Sequence, residues 1–401
     1  MDEGCPKKVY EKTARREKSC RAWSLLTPRP VCAEFGMACA LRQTIAAAFL
    51  LALMTGPLSA QSVREENKAP DESCIEGDCV NGQGTRVLPD KTEIKASFKG
   101  GLPEGPGQIR YPDGGTYNGN FVAGYLQGRG RRVWPGKATY EGQWLKSRMH
   151  GQGWLSFANG SSYRGAFRMG LADGPGVFRG RKGSYDGSFR LGLMDGPGSL
   201  TQNKMRYQGE FASGRVQGKG SATAGELRME GIFQNGQLVK GSVQFENGNS
   251  YQGAFAAGKF EGEGIYTWKD GSVYRGGFKA GVFSGRGIFE GQDKSRYEGD
   301  FLLGRFHGTG SFQDQTLRYS GTYENGVFSG KGELSTKDTK YAGEFKNGVP
   351  HGQGRYQFSS GTVYEGEFKN GKFNGQGVLR FKDGTSQSGL FENGQFKGRQ
   401  R

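Results

Sequence analysis

Catalysis in this chain would be sought first at its three histidines, His150, His307 and His351. Each stands ten residues after a tyrosine, just ahead of a glycine, in a slot that elsewhere holds Gln127, Asp173, Asp195, Gln217, Glu261, Ser284, Ser329 or Asn374. A slot that accepts so many polar types reads as a solvated face, and no nucleophile is paired with any of the imidazoles. Carboxylates such as Glu365 with Glu367, or Asp173 with Asp195, could divide acid and base roles, but nothing in the pattern buries them or brings them together. The recurrent Gly-x-Gly would cradle a phosphate only where a strand turns into a helix, and no helical period follows it. Cys74 and Cys79 are the only cysteines after residue 60. Two thiols with no histidine nearby are too few for a metal site. In an exported chain they read as a disulfide that staples the start of the fold. No catalytic residue, cofactor or metal ligand is assigned.

The elements that position these residues are set by a repeat. The stretch Tyr364–Gly377 (YEGEFKNGKFNGQG) recurs at Tyr341, Tyr297 and Tyr251. With tyrosine as offset zero, glycine falls at offsets 2, 7, 11 and 13 and an aromatic residue at 4. That frame also fits Tyr117, Tyr140, Tyr163, Tyr185, Tyr207, Tyr274 and Tyr319, with Ser147 replacing one offset-7 glycine. Degenerate starts lie at Ile94, Met229 and Gln387, and every step between neighbouring starts is 22 or 23 residues. A fixed period of this size marks a repeat architecture. Asn-Gly at offsets 6 and 7 (Asn347-Gly348, Asn370-Gly371) and Asp-Gly or Asn-Gly before the next start (Asp113-Gly114, Asp383-Gly384) read as tight turns. The runs between them alternate with period two and read as strands.

The fold class expected is all-β: an elongated single-layer antiparallel meander of about fourteen hairpin units. At about 4.8 Å per strand it would extend on the order of 130 Å. Offsets 0, 2 and 4 of the first strand and 9, 11, 13, 15 and 17 of the second share one face. That face is aromatic plus glycine, with the rings expected across bare glycine backbone. The aromatic stripe at offset 9 (Phe260, Phe283, Phe306, Phe328, Phe373, Phe396) is expected to pack within the array, with part of it open to a partner.

The frame resembles the MORN (membrane occupation and recognition nexus) repeat. The residues that carry the resemblance include Tyr117, Gly119 and Phe121, Tyr251, Gly253 and Phe255, and Tyr364, Gly366, Phe368, Gly375 and Gly377. The resemblance covers roughly residues 72 to 401. It implies a β-hairpin array acting as a scaffold, a dimerisation element or an accessory module. Some members of the family are linked to membranes or phosphoinositides. Enzymes of the family carry a separate catalytic domain, for which this sequence leaves no room beside the array.

Ahead of the array, residues 1–36 lack apolar periodicity and read as an unstructured or mis-annotated extension, with Met37 as the true start. Residues 37–60 read as a secretory signal peptide cut near Ala60. They hold Arg42, the apolar run Thr44–Met54 and then Gly56-Pro57. That run is too short to span a bilayer. Residues 61–72 read as a flexible lead-in, and 73–401 as the array with a truncated first unit and a degenerate C-terminal cap. The formal charge is +16, of which residues 61–401 carry +12. A basic surface attracts anionic lipid or other polyanions, and export argues against nucleic acid. The expected function is a non-enzymatic exported scaffold for protein–protein contact or self-association, with a homodimer as one form. The alternative is a peripheral binder of anionic phospholipid membranes, in the periplasm or outside the cell.

Overall fold

The computed structural model describes residues 73–398. The expected extension (1–36), signal peptide (37–60) and lead-in (61–72), and the last three residues, lie outside the described residues. The described chain forms thirty β-strands and no helix. It falls into two compact units, one ending at Leu238 and the other beginning at Val239. In each, sequential strands pair antiparallel through hairpins, for example Thr116–Val122 with Tyr125–Val133 and Val363–Lys369 with Lys372–Arg380. The expected all-β meander is therefore what forms.

The hairpin at offsets 6 and 7 is a two-residue turn with both central residues at positive φ, as at Asn370 (φ 51°) and Gly371 (φ 75°). This is the I′ geometry that matches strand twist. Ala123, Leu191 and Leu303 hold the same left-handed first position without the aid of an asparagine side chain. Turns are tied to the unit before them, as where Gly371 N donates to Pro350 O at 2.8 Å and Gly170 N to Met149 O at 2.9 Å. Ser147, in the glycine slot, sits at φ 61° and is 2% exposed. Its hydroxyl accepts from Leu126 N at 3.1 Å, which compensates for the left-handed backbone.

The second connection explains why the period is 22 or 23. The longer form is a loop such as Phe381–Thr385, where Asp383 accepts from Thr385 N at 2.9 Å. The shorter is a two-residue turn such as Asn203-Lys204 between Gln202 and Met205. The Met229 unit departs from this rule. It has the long loop, Phe245–Asn249, yet its step is 22, so the missing residue lies inside the strand Gln237–Gln244. Only two residues separate Leu238 from Gly241, where three separate Leu126 from Gly130. The chain divides into its two compact units at this shortened segment.

Glycines of the frame serve two different purposes. Those at offsets 2 and 13 face one another in adjacent strands and form a continuous file. In the unit ending at Leu238 the file includes Gly142↔Gly153, Gly153↔Gly165 and Gly165↔Gly176. In the other it includes Gly354↔Gly366, Gly366↔Gly377 and Gly377↔Gly389. The tyrosine at offset 0 lies over its own pair of file glycines. A Cβ at Gly165 would meet Gly176 Cα at 2.5 Å and the Tyr163 hydroxyl at 2.7 Å. In the Ile94 unit no tyrosine ring is present, and the file position is Ala96.

The glycine at offset 11 is not part of this bare track, contrary to the simple alternation. It is the left-handed residue of a β-bulge, as at Gly128 (φ 73°) and Gly262 (φ 66°), where the register shifts. A Cβ at Gly262 would meet nothing within 4 Å.

The core is an aromatic ladder. Tyr163 meets Phe167 of its own unit edge-on at 5.0 Å and Phe189 of the next at 5.0 Å. Tyr341 likewise meets Phe345 at 4.9 Å and Phe368 at 5.0 Å. Such pairs contribute about 0.5–1.5 kcal/mol each beyond burial. The hydroxyl donates to the carbonyl three residues on, as from Tyr140 to Gln143 O at 2.8 Å and from Tyr364 to Glu367 O at 3.0 Å.

Two outcomes follow from these geometries. Gly165→Ala should cost several times more stability than Gly262→Ala. The first must displace a tyrosine or a neighbouring strand, whereas the second costs about 1 kcal/mol for a left-handed alanine. Comparable urea midpoints for the two variants would overturn this division of roles. Burial pushes the Tyr185, Tyr207 and Tyr364 phenols up from 10.0 to about 12. A raised native value means that the neutral form is favoured by folding. The tyrosine contribution is therefore complete below pH 10 and is lost as pH rises from 10 towards 12. Phenolate absorbance should rise together with loss of the far-UV β signal. Ionisation of all tyrosines near pH 10 with the sheet intact would contradict it.

Candidate interaction surface

The residues that could have done chemistry are used otherwise. The offset-10 slot does not simply face solvent: its side chain accepts from the backbone of the next turn. Glu104 accepts from Ala123 N at 2.8 Å, Glu261 from Ala280 N at 2.9 Å and Gln217 from Asn235 N at 3.1 Å. The histidines in this slot are half-buried, and their Nδ1 atoms are enclosed with no protein partner. His307 and His351 lie on Arg305–Gln313 and Val349–Phe358, four strands apart and hence about 19 Å at the usual spacing.

Carboxylates are likewise engaged. Glu365 is bonded by Arg380 at 2.8 Å and Arg355 at 2.9 Å, and those hydrogen bonds, led by Arg380, hold its pKa below the ordinary value. Asp195 accepts from Ser213 N at 3.1 Å and pairs with Arg190 at 2.6 Å, which lowers its pKa in that order of importance. Cys74 and Cys79 are joined in a disulfide with Cα atoms 5.9 Å apart. Among the described residues no group of three or more His, Cys, Asp or Glu could hold a metal ion.

Charge is sorted between the two edges of the sheet. The offset-6 and -7 turns, with offsets 5 and 8 beside them, form the hairpin-tip edge. In the unit ending at Leu238 this edge carries Lys99, Lys146, Arg148, Arg168, Arg190 and Arg215, all exposed, against Glu76 and Asp78 in the truncated first hairpin. The opposite loops of that unit carry five basic residues and three acidic. In the unit beginning at Val239 the tip edge holds Lys259, Lys279, Arg305, Lys346, Lys369 and Lys372 against Glu324 and Glu392. Its opposite loops hold four basic and six acidic. Apolar side chains are exposed on the same tips: Met169 (52%) and Leu191 (69%) in the first unit, Leu303 (77%) in the second. Read offset by offset, these cations look scattered. The turn at offsets 6 and 7 could have shown that offsets 5 and 8 are neighbours.

The offset-9 row differs between the units. In the first it is aliphatic, with Leu126, Met149 and Val216 buried opposite the offset-4 aromatics. In the second it is aromatic, and the phenylalanines stack flat on the tyrosines, as in Tyr297–Phe306 at 3.6 Å and 9°. Phe260 and Phe283 are buried, with Trp268 edge-on to Phe283 at 5.9 Å. Phe306, Phe328, Phe373 and Phe396 are only half-buried. The expectation of a stripe packed within the array with part left open describes this row.

The frame residues Tyr117, Tyr251 and Tyr364, with Gly119, Gly253, Gly366 and Gly377, occupy the ring-over-glycine positions. Phe121, Phe255 and Phe368 are buried beside them, and Gly375 is a bulge glycine (φ 62°).

No curated protein sequence matches the chain. In structure it is similar to the TCP domain of Drosophila melanogaster SAS-4 (dCPAP), solved in complex with a proline-rich motif of Ana2 (dSTIL). The identity is 11% and the TM-score 0.23, over 46% of this chain and 95% of that one. It is also similar to the wild-type TCP10 domain of Danio rerio CPAP, with 9% identity and a TM-score of 0.15 over 76% and 96%. Overlaps this low carry no argument. The MORN repeat family matches eleven segments, five in succession over 96–203, three over 251–316, one at 319–338 and two over 341–386. They include the tyrosine-less Ile94 unit and pass over the Tyr207 unit, whose strands nonetheless keep the glycine pairing Gly209↔Gly220. With more than half of its length matched, and a ring-over-glycine ladder beneath the match, this chain belongs to the MORN repeat family.

Proposed function

We propose that the chain is an exported, non-enzymatic repeat scaffold that holds a protein partner, or a second copy of itself, against the aromatic face of residues 239–398. The observation that carries this reading is the half-open row of Phe306, Phe328, Phe373 and Phe396. Phe306, Phe328 and Phe373 are already stacked on tyrosines, so binding there needs little further ordering. Export is supported by the signal-like residues 37–60 and by the Cys74–Cys79 disulfide, which suits an oxidising compartment.

A second reading, peripheral attachment to an anionic bilayer, is favoured by a different observation, the basic tip edge with exposed Met169 and Leu191. The two readings separate by salt. Association through the aromatic row should persist at about 0.15 M salt, where exposed charges more than ~8 Å apart are screened, and Phe373→Ser should weaken it. Lys146→Glu with Arg148→Glu should leave it unchanged. Sedimentation equilibrium of residues 61–401 reads the first effect. Co-sedimentation with phosphatidylserine-containing vesicles reads the second, where the charge reversals should abolish binding and Phe373→Ser should not. A monomer at every salt concentration that also ignores vesicles would sink both self-association and bilayer attachment.

A further inference from the structure

One residue on the ring-bearing face breaks the apolar pattern without explanation from the fold. Offset 15 is Ile109, Leu155 and Leu200 in neighbouring units, but it is Arg132 in the Tyr117 unit. Arg132 pairs across the sheet with Tyr117 on one side and Tyr140 on the other, both almost fully buried. It is 9% exposed, and its Nε is enclosed with no protein acceptor.

Its guanidinium lies over two rings, 4.6 Å from the Tyr111 centroid and 5.0 Å from that of Trp134. Both rings precede a proline, Pro112 and Pro135, which restricts their backbone. Stacking is thus provided on prepared rings, but hydrogen bonding is not. An arginine has five N–H donors, and among the described residues no hydrogen bond or ion pair engages those of Arg132, whose Nε is enclosed.

Arg86 occupies the equivalent offset in the truncated first unit, and the contrast is informative. Its terminal nitrogens donate to Gly101 O and Cys79 O, each at 2.7 Å, while it lies over the Phe98 ring at 4.9 Å. Arg86 is a structural cross-brace whose Nε is enclosed like that of Arg132, so what sets Arg132 apart is that its terminal nitrogens bond to no described residue. A buried cation is costly unless it is paired, and ring contacts offset only part of that cost.

We infer that Arg132, held by Tyr111 and Trp134, is a binding site for a carboxylate of a peptide segment. The guanidinium fork matches a carboxylate in a bidentate pair, and the two rings suit the apolar atoms around a peptide carboxylate. A phosphate dianion fits less well than a single carboxylate, because the charges of Asp90 and Asp113, which act on the adjoining Tyr111, oppose the larger charge more strongly. Burial first, and then these two carboxylates, raise the Tyr111 phenol, against the pull of Arg132. The site deepens the scaffold reading and rests on it for the class of partner. It belongs to the unit ending at Leu238, whereas the row tested above belongs to the unit beginning at Val239, so the two can fail separately.

The test follows the Nε–Hε NMR signal of Arg132 in the whole chain, assigned by its disappearance in Arg132→Leu. Leucine is what the neighbouring units carry, so this variant keeps the fold, which the far-UV signal checks. Three probes are titrated: an amidated, acetylated peptide with one glutamate; an acetylated peptide whose only charge is its C-terminal carboxylate; and inorganic phosphate. At least one peptide should give a saturable shift, and the peptide that does identifies the source of the carboxylate. The glutamine version of the first peptide should bind at least about tenfold more weakly, the effect of losing one charge-assisted pair. Arg132→Lys should lose the binding despite keeping the charge. Silence with both peptides, an equal response to the glutamine peptide, or a saturable shift with phosphate would overturn the assignment.

Discussion

The structure depends on one contact, the tyrosine ring lying flat over two glycines that face each other across a hairpin. Where the tyrosine is present, its file glycines cannot be replaced; units that lack it, such as those at Met229 and Gln387, still keep the offset-2 glycine. A side chain on the glycine would occupy the space of the ring, as at Gly176, where an added Cβ would meet Tyr163 ring carbons at 2.6 and 2.7 Å. Once the ring is there, its edge meets aromatic residues of its own unit and the next, and its hydroxyl closes onto the backbone three residues ahead. The usual weakness of glycine in a strand is thereby reversed, because the absent side chain makes room for the largest contact in the unit. A chain with 34% hydrophobic residues can fold on this basis. Its core needs few residues, provided that they recur.

Much of the fold was legible because the chemistry is periodic. The tyrosine–glycine spacing revealed the hairpins, and the Asn-Gly pairs revealed the tips. Detail was lost wherever one residue type serves two purposes. Glycine at offset 11 looks like glycine at offset 13, yet it is required for its left-handed backbone at a bulge, which no letter distinguishes. The offset-10 slot looked variable because Glu, Gln and Asp all accept a hydrogen bond from the next turn, so what recurs is a hydrogen-bonding role and not a residue. The surfaces were harder still. The basic tip edge emerges only when offsets 5 and 8 are placed side by side, and Arg132 is conspicuous only once its neighbours are known to be buried.

The two compact units share a frame but differ in what surrounds it. Aliphatic residues fill the offset-9 row of the first, and stacked phenylalanines fill that of the second. The frame fixes the backbone and leaves offsets 5, 8, 9 and 15 free to vary. Those positions, with offset 6 at the hairpin tip, carry the basic edge, the aromatic row and Arg132. A family defined by its frame is therefore silent about partners, and specificity must be sought in the variable positions.

Turns bond to the unit just before them, as Gly304 N does to Phe283 O, and each frame tyrosine meets the aromatic of the unit just after, as Tyr140 meets Phe167. This has a kinetic consequence. All pairings close short loops, so the entropy lost in forming each hairpin does not grow with the length of the chain. Within either unit, folding can begin at any well-formed hairpin and spread outward by zippering. Hairpins with Asn-Gly tips, which settle into the left-handed turn most easily, are the natural places for it to begin.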